Sequence, residues 1–197
     1  MSAPAKLNLT IYQGSTFSEV LRWESPTKVY KTITGITQAA PAIITSTAHG
    51  IPDGWRVKVT NVIGMTQINS TDTYRKATLL SSSTIELNEI NAVGYTAYTS
   101  GGVLEYNAPI DLTGFTARMQ IRAKLEDAVA LFELTTEDLN NGIVINNTNK
   151  TISLNISATN TAAFTWLTGV YSLELISGTT VSTLITGNVT VKKEVTR

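Results

Sequence analysis

Residues 115–122, Phe115-Thr116-Ala117-Arg118-Met119-Gln120-Ile121-Arg122, decide the fold class. Phe115, Ala117, Met119 and Ile121 alternate strictly with Thr116, Arg118, Gln120 and Arg122. That period of two is a strand with one face in a core and the other in water. Leu7, Leu9 and Ile11 repeat the pattern near the start of the chain, and Gln13-Gly14-Ser15 ends it. Phe17, Val20, Leu21 and Trp23 form a second strand that stops near Ser25-Pro26. Downstream of the deciding stretch, Leu131–Leu134 reads as a short strand. Ile143–Ile145 and Ile152–Ile156 read as a hairpin across Asn146–Lys150. Val170–Ile176 and Val181–Ile185 pair across Ser177-Gly178-Thr179, and Val189–Val195 is the last strand. Helix is confined to two short places, one turn over Ala123–Val129 and a short helix through Phe164 that Ser157 caps.

Residues 32–102 carry a pattern of their own. Short strands are expected at Ile33–Thr37, Ala42–Thr47, around Val57 and Val59, at Tyr74–Leu80 and around Ile85 and Leu87. Tyr95–Thr99 leads into Gly101-Gly102, and Pro52-Asp53-Gly54 and Ser81-Ser82-Ser83 supply turns. Strands so short and close together suggest a small barrel or sandwich. The expected fold is therefore all-β: an Ig-like β-sandwich from residues 1–31 and 103–197, with a small β-barrel of residues 32–102 inserted at a hairpin tip. Insertions are tolerated there because the loop ends lie close together.

Composition agrees. Thr, Ser, Asn and aliphatic residues dominate, charged residues are 15%, and basic and acidic residues balance at 15 each. Without a basic patch there is no electrostatic footprint for nucleic acid or for an anionic membrane. No apolar run is long enough to span a bilayer, and the first residues lack the pattern of a signal peptide. There is no cysteine and one histidine, which removes disulfides and the common zinc sites.

The outer segments LNLTIYQGSTFSEVLRW, PIDLTGFTARMQIR, ISLNISATNTAAF, GVYSLELISG and GNVTVKKEVTR occur in an order that resembles small virion proteins of tailed bacteriophages and prophages. They look like the N-terminal β domain of baseplate and tail-fibre-associated proteins. The middle segment, through PAIITSTAHGIPDGWRVKVTNVIGMTQIN, STIELN and YTAYTSGG, is similar to a second phage module, often labelled after a domain of ubiquitin-activating enzyme. Together the two resemblances cover nearly the whole chain, through strand-and-turn motifs. They imply particle architecture: a non-enzymatic adaptor or hub subunit of the tail, neck or baseplate. Its partners would be other phage structural proteins and copies of itself in a ring, and it would be made in the host cytoplasm and located in the virion. No catalytic residue, cofactor or metal transfers with either resemblance.

The residues themselves offer few chemical candidates. His49 is the first suspect for catalysis, but no serine lies in a nucleophile-elbow sequence, and ring nitrogens bonded to nearby backbone are the favoured reading. Glu137-Asp138 with Asn140-Asn141-Gly142 offers oxygen ligands, though not at the spacing of the roughly twelve-residue calcium loop. Glu126-Asp127 reads as a solvated loop pair. A carbohydrate-binding module for host-surface glycan is the alternative function, with Trp55, Tyr95 and Tyr98 as candidate exposed aromatics; capsid decoration is another. For Trp23, Trp55 and Trp166 alike, partial burial in the core is the favoured reading beside this one. The first strand and the last, GNVTVKKEVTR, are the expected sheet edges, open to pairing with a partner.

Overall fold

The computed structural model describes residues 3–138 and 142–194. In chain order its strands are β1 (Ala5–Lys6), β2 (Leu9–Tyr12), β3 (Phe17–Arg22), β4 (Glu24–Thr32), β5 (Gly35–Ile36), β6 (Ala42–Thr45), β7 (Arg56–Ile63), β8 (Arg75–Ser81), β9 (Thr84–Leu87), β10 (Ser100–Pro109), β11 (Thr116–Arg122), β12 (Phe132–Thr135), β13 (Ile143–Asn146), β14 (Thr151–Ile156), β15 (Thr168–Ser177) and β16 (Thr180–Lys192). A 3-10 turn spans Thr66–Ile68, and helix α1 spans Ala158–Ala162. The protein is all-β and of sandwich type. It divides into two compact units, one of Glu24–Ile110 and the other of the chain on either side.

The unit built from both ends of the chain holds two sheets. One runs β1-β16-β15-β11-β12, with β2 also paired to β16; the other runs β13-β14-β3. Alternation drives both. Ala117, Met119 and Ile121 of β11, with Leu173 and Leu175 of β15 and Val189 and Val191 of β16, are buried. Ile152, Leu154 and Ile156 of β14 are buried from the smaller sheet. Burial, then the Glu19 carboxylate on β3, pushes the Tyr171 phenol of β15 up to about 12. Ser157 caps α1, its hydroxyl accepting from the Asn160 N–H at 3.2 Å.

Several local expectations are corrected here. Ala123–Val129 forms turns rather than a helical turn, because the Asp127 side chain accepts from the Lys124 N–H at 2.9 Å and its backbone carbonyl accepts from Arg122. The two expected strands around Val181 and Val189 are one continuous strand, β16. Gly187 does not break it, since it sits in the ladder opposite Tyr171; Val195 lies outside the described residues. Nor is this last strand an edge. It is flanked by β15 on one side and by β1 and β2, running parallel to it, on the other. The edges of that sheet are β1 and β2 at one end and β12 at the other.

The unit Glu24–Ile110 is one seven-stranded path, β4-β10-β7-β8-β9-β6-β5. Its ends, β4 and β5, are joined by the chain itself through Ile33 and Thr34, whose N–H groups donate to Gly102 O and Thr45 O. Trp55, Val57, Val59, Met65, Ile85, Leu87 and Leu104 are among the side chains of its own core. The division from the rest of the chain falls at Trp23/Glu24 and Ile110/Asp111, outside the expected 32 and 102. The reason is the ladder between β4 and β10, which binds both flanks to this unit. The strand β3 stops at Arg22, close to the expected Ser25-Pro26, but Pro26 itself lies inside the next strand, β4. Proline cannot donate to a ladder, and Pro26 lies where the β4–β10 register shifts, on a strand at the end of the path. Tyr95–Thr99 precedes β10 as irregular chain.

Candidate functional site

The expected interaction residues all lie in the unit Glu24–Ile110, and its core claims most of them. Trp55 follows the Pro52–Gly54 turn but is 0% exposed, and its indole Nε1 donates to Asn107 O at 2.9 Å. It is not the exposed aromatic that its neighbouring turn suggested; the turn folds its ring inward beside Val57 and Val59. Tyr95 and Tyr98 are half-buried against the same core. The Tyr98 hydroxyl is spent on Ile33 O and Gly101 O, at 3.2 and 3.0 Å. The three rings therefore do not form a stacking platform. In the other unit, Trp23 is half-buried and meets Phe115 edge-on at 6.0 Å, and Trp166 lies over Phe164 at 4.8 Å.

His49 is buried just after the Thr47-Ala48 turn that follows β6. Its Nδ1 accepts from the Ile51 N–H at 3.0 Å, so Nε2 carries the proton and donates to Ser81 O at 3.1 Å. The Tyr106 hydroxyl donates to the His49 carbonyl. The ring, in its neutral form, bonds two pieces of backbone, at Ile51 and Ser81. Burial holds its pKa below the ordinary 6.5. The unfolded chain therefore takes up this proton first as pH falls, so the contribution is complete above about pH 6.5 and declines below it. We expect the urea midpoint of the protein to fall between about pH 7 and about pH 5.5, before ordinary carboxylates titrate. In His49→Gln that part of the pH dependence should vanish. A flat midpoint across this range in the parent protein would show that the ring does not carry the dependence.

A second polar cluster surrounds Tyr74. Its hydroxyl donates to Glu105 Oε1, and Lys58 Nζ lies 2.9 Å from Glu105 Oε2. Lys28 Nζ donates to the Tyr74 hydroxyl and lies 4.5 Å from the ring centroid. The hydrogen bond from Tyr74, then that from Lys58, holds the Glu105 carboxyl below its ordinary range. These groups satisfy one another, and the cluster ties β4, β7 and β10 together. Asp111, at the start of the outer chain's return, is similarly held down to about 2 by hydrogen bonds from Asn147, Thr113 and Lys150, a local loop clasp. Among the described residues no three His, Cys, Asp or Glu side chains group as metal ligands. Asn140 and Asn141, part of the calcium candidate, lie outside the described residues.

What the sequence did not flag is a groove of about 380 Å³ on the outer face of the six-stranded sheet. One row of outward residues crosses four strands through successive ladder partners: Lys6, Thr186, Ser172 and Gln120. The next row runs from Asn188 through Val170 to Arg122, and Asn8 joins it by accepting from the Asn188 N–H at 3.0 Å. With strands about 4.8 Å apart, each row spans about 14 Å. Leu125, from the loop after β11, forms a wall. Arg122 is fixed by Asp127 O and by Gln120 Oε1, the latter at 2.7 Å, and Gln120 in turn donates to Glu133 at 2.7 Å. No carboxylate lines the groove, and among the described residues none lies within ion-pair distance of Lys6 or Arg122.

The same loop presents exposed apolar groups. Leu125 is 86% and Val129 80% exposed, between β11 and the edge strand β12. No protein-family model matches the chain, and no curated protein matches it.

Proposed function

We propose that the protein is a non-enzymatic structural subunit of a tailed-phage virion, an adaptor of the tail, neck or baseplate that joins other virion proteins and copies of itself through β-domain contacts. The observation that carries this reading is the loop 123–130. Two large aliphatic side chains stand almost wholly in water on a loop that Arg122 and Asp127 hold in shape. Exposed apolar groups presented at fixed positions suit a protein interface. Beside them β12 has a free edge, which a partner strand can extend. The phage context comes from the resemblance of the strand motifs.

The experiment is cryo-electron microscopy of the particle made by the source of this gene, with Val129→Asp beside the parent chain. The parent chain is expected as an ordered ring. Val129→Asp should keep its unfolding midpoint, since an exposed change costs within about 0.5 kcal/mol. Its association should weaken at least about tenfold through a charge buried at the contact. Absence of the parent chain from the particle, or normal incorporation of the variant, would overturn the proposal.

A further inference from the structure

We propose that the groove on the outer face of the six-stranded sheet binds an acidic oligosaccharide, with Arg122 and Lys6, at opposite ends of the rows, meeting separate carboxylates and Asn8, Ser172, Thr186 and Asn188 its hydroxyls. The charge argument comes first. Both cations belong to the lining and no acid does, and the two acids that hydrogen bonding places beside Arg122 have their carboxylates engaged, Asp127 by the Lys124 N–H and Glu133 by Gln120. Arg122 uses two N–H groups on Asp127 O and Gln120, and a guanidinium has five donors in a fixed fork that suits a carboxylate. Its aim is set before any ligand arrives, which reduces the ordering cost of binding.

The remaining lining selects among anions. Side-chain amides and hydroxyls in two parallel rows can each donate and accept, as a ring bearing several hydroxyls requires. Val170 and Leu125 offer an apolar strip and a wall for the C–H face of such a ring. The volume of about 380 Å³ lies in the range of small-ligand sites, roughly 300–1,000 Å³. A bare inorganic anion would leave both rows unused. The groove shares Leu125 and Arg122 with the loop of the assembly reading but not Val129 or the β12 edge, and it does not involve Trp55, Tyr95 or Tyr98.

The test is a titration of the full chain with digalacturonate, followed by calorimetry and by NMR of the side-chain amides. Cellobiose and inorganic sulfate are the comparison probes. Digalacturonate is expected to bind with a Kd of about 1 mM or tighter, to shift the amides of Asn8, Gln120 and Asn188, and to weaken as salt rises. Cellobiose and sulfate should each bind at least about tenfold more weakly. Lys6→Gln, a change of an exposed side chain, should cost digalacturonate about tenfold in affinity and leave the unfolding midpoint unchanged. Arg122→Lys should cost at least as much, because an ammonium cannot match the fork. The proposal is overturned by shifts that map elsewhere, by cellobiose or sulfate binding as tightly as digalacturonate, or by Lys6→Gln binding like the parent.

Discussion

Trp55→Ala is expected to destabilise the unit Glu24–Ile110 by about 3–5 kcal/mol. The ring is completely buried, and its removal leaves a cavity among Val57, Val59 and their neighbours. The indole N–H bond to Asn107 O is lost as well, which orphans a carbonyl next to the register shift of the β4–β10 ladder. Hydrogen exchange reads the effect locally. Ala77 donates its N–H to Trp55 O at 2.8 Å, so its protection should drop along with that of Leu104 in β10. Amides of β15 and β16 report the other unit and should keep theirs if the two units unfold separately. Trp55→Phe separates the two costs: it keeps most of the apolar volume and loses the donor, so about 1–3 kcal/mol should remain. A loss below about 1 kcal/mol in Trp55→Ala would contradict the burial described here.

Gly187→Ala should cost about 3 kcal/mol or more, even though alanine normally suits a strand better than glycine does. A Cβ at Gly187 would stand 1.9 Å from Leu7 O and 2.7 Å from Leu7 C. Backbone is what it meets, so no rotamer change relieves the clash. The chain at Leu7 must move off β16, which breaks the bond from Leu7 N to Thr186 O at 3.1 Å. The Tyr171 hydroxyl also loses Leu7 O, its acceptor at 2.8 Å, and a buried phenol is left without that partner. Because β1 carries Lys6, the groove should open with the sheet. Gly178→Ala is the control. It has φ +57° and open space around it, so only the backbone penalty of about 1 kcal/mol applies. Comparable losses in the two variants, read from denaturant midpoints, would remove the close approach as the explanation.

These variants mark the line between what was legible in the chain and what was not. The alternation in 115–122, 152–156 and 170–176 placed the strands because a period of two states which face is buried whatever the partner is. The Asn146–Lys150 hairpin and the Ser157 cap were legible too, since both rest on residues a few positions apart. Trp55 was left between two readings, exposed after its turn or buried in part: the turn before it was clear, but the direction of the ring depends on the space between strands far along the chain. Pro26 was read as marking a strand's end because local propensity says so, whereas the ladder around it tolerates a proline, and no local pattern records that Gly187 has no room for a side chain. The place of β16 between β15 and the parallel strands β1 and β2 was likewise hidden. It joins residues nearly a whole chain apart, which no local pattern records.

By itself, then, the amino-acid order determined an all-β protein with an inserted middle segment and one histidine whose ring bonds nearby backbone. Side-chain alternation, turn residues and composition are local quantities that survive without knowledge of neighbours. The tertiary structure alone decided the unit boundaries, the edges and the groove. Each depends on which strands lie side by side, and ladder pairing between distant segments sets that order. Lys6, Gln120, Ser172 and Asn188 are unremarkable polar alternates of four separate strands until the register brings them onto one face.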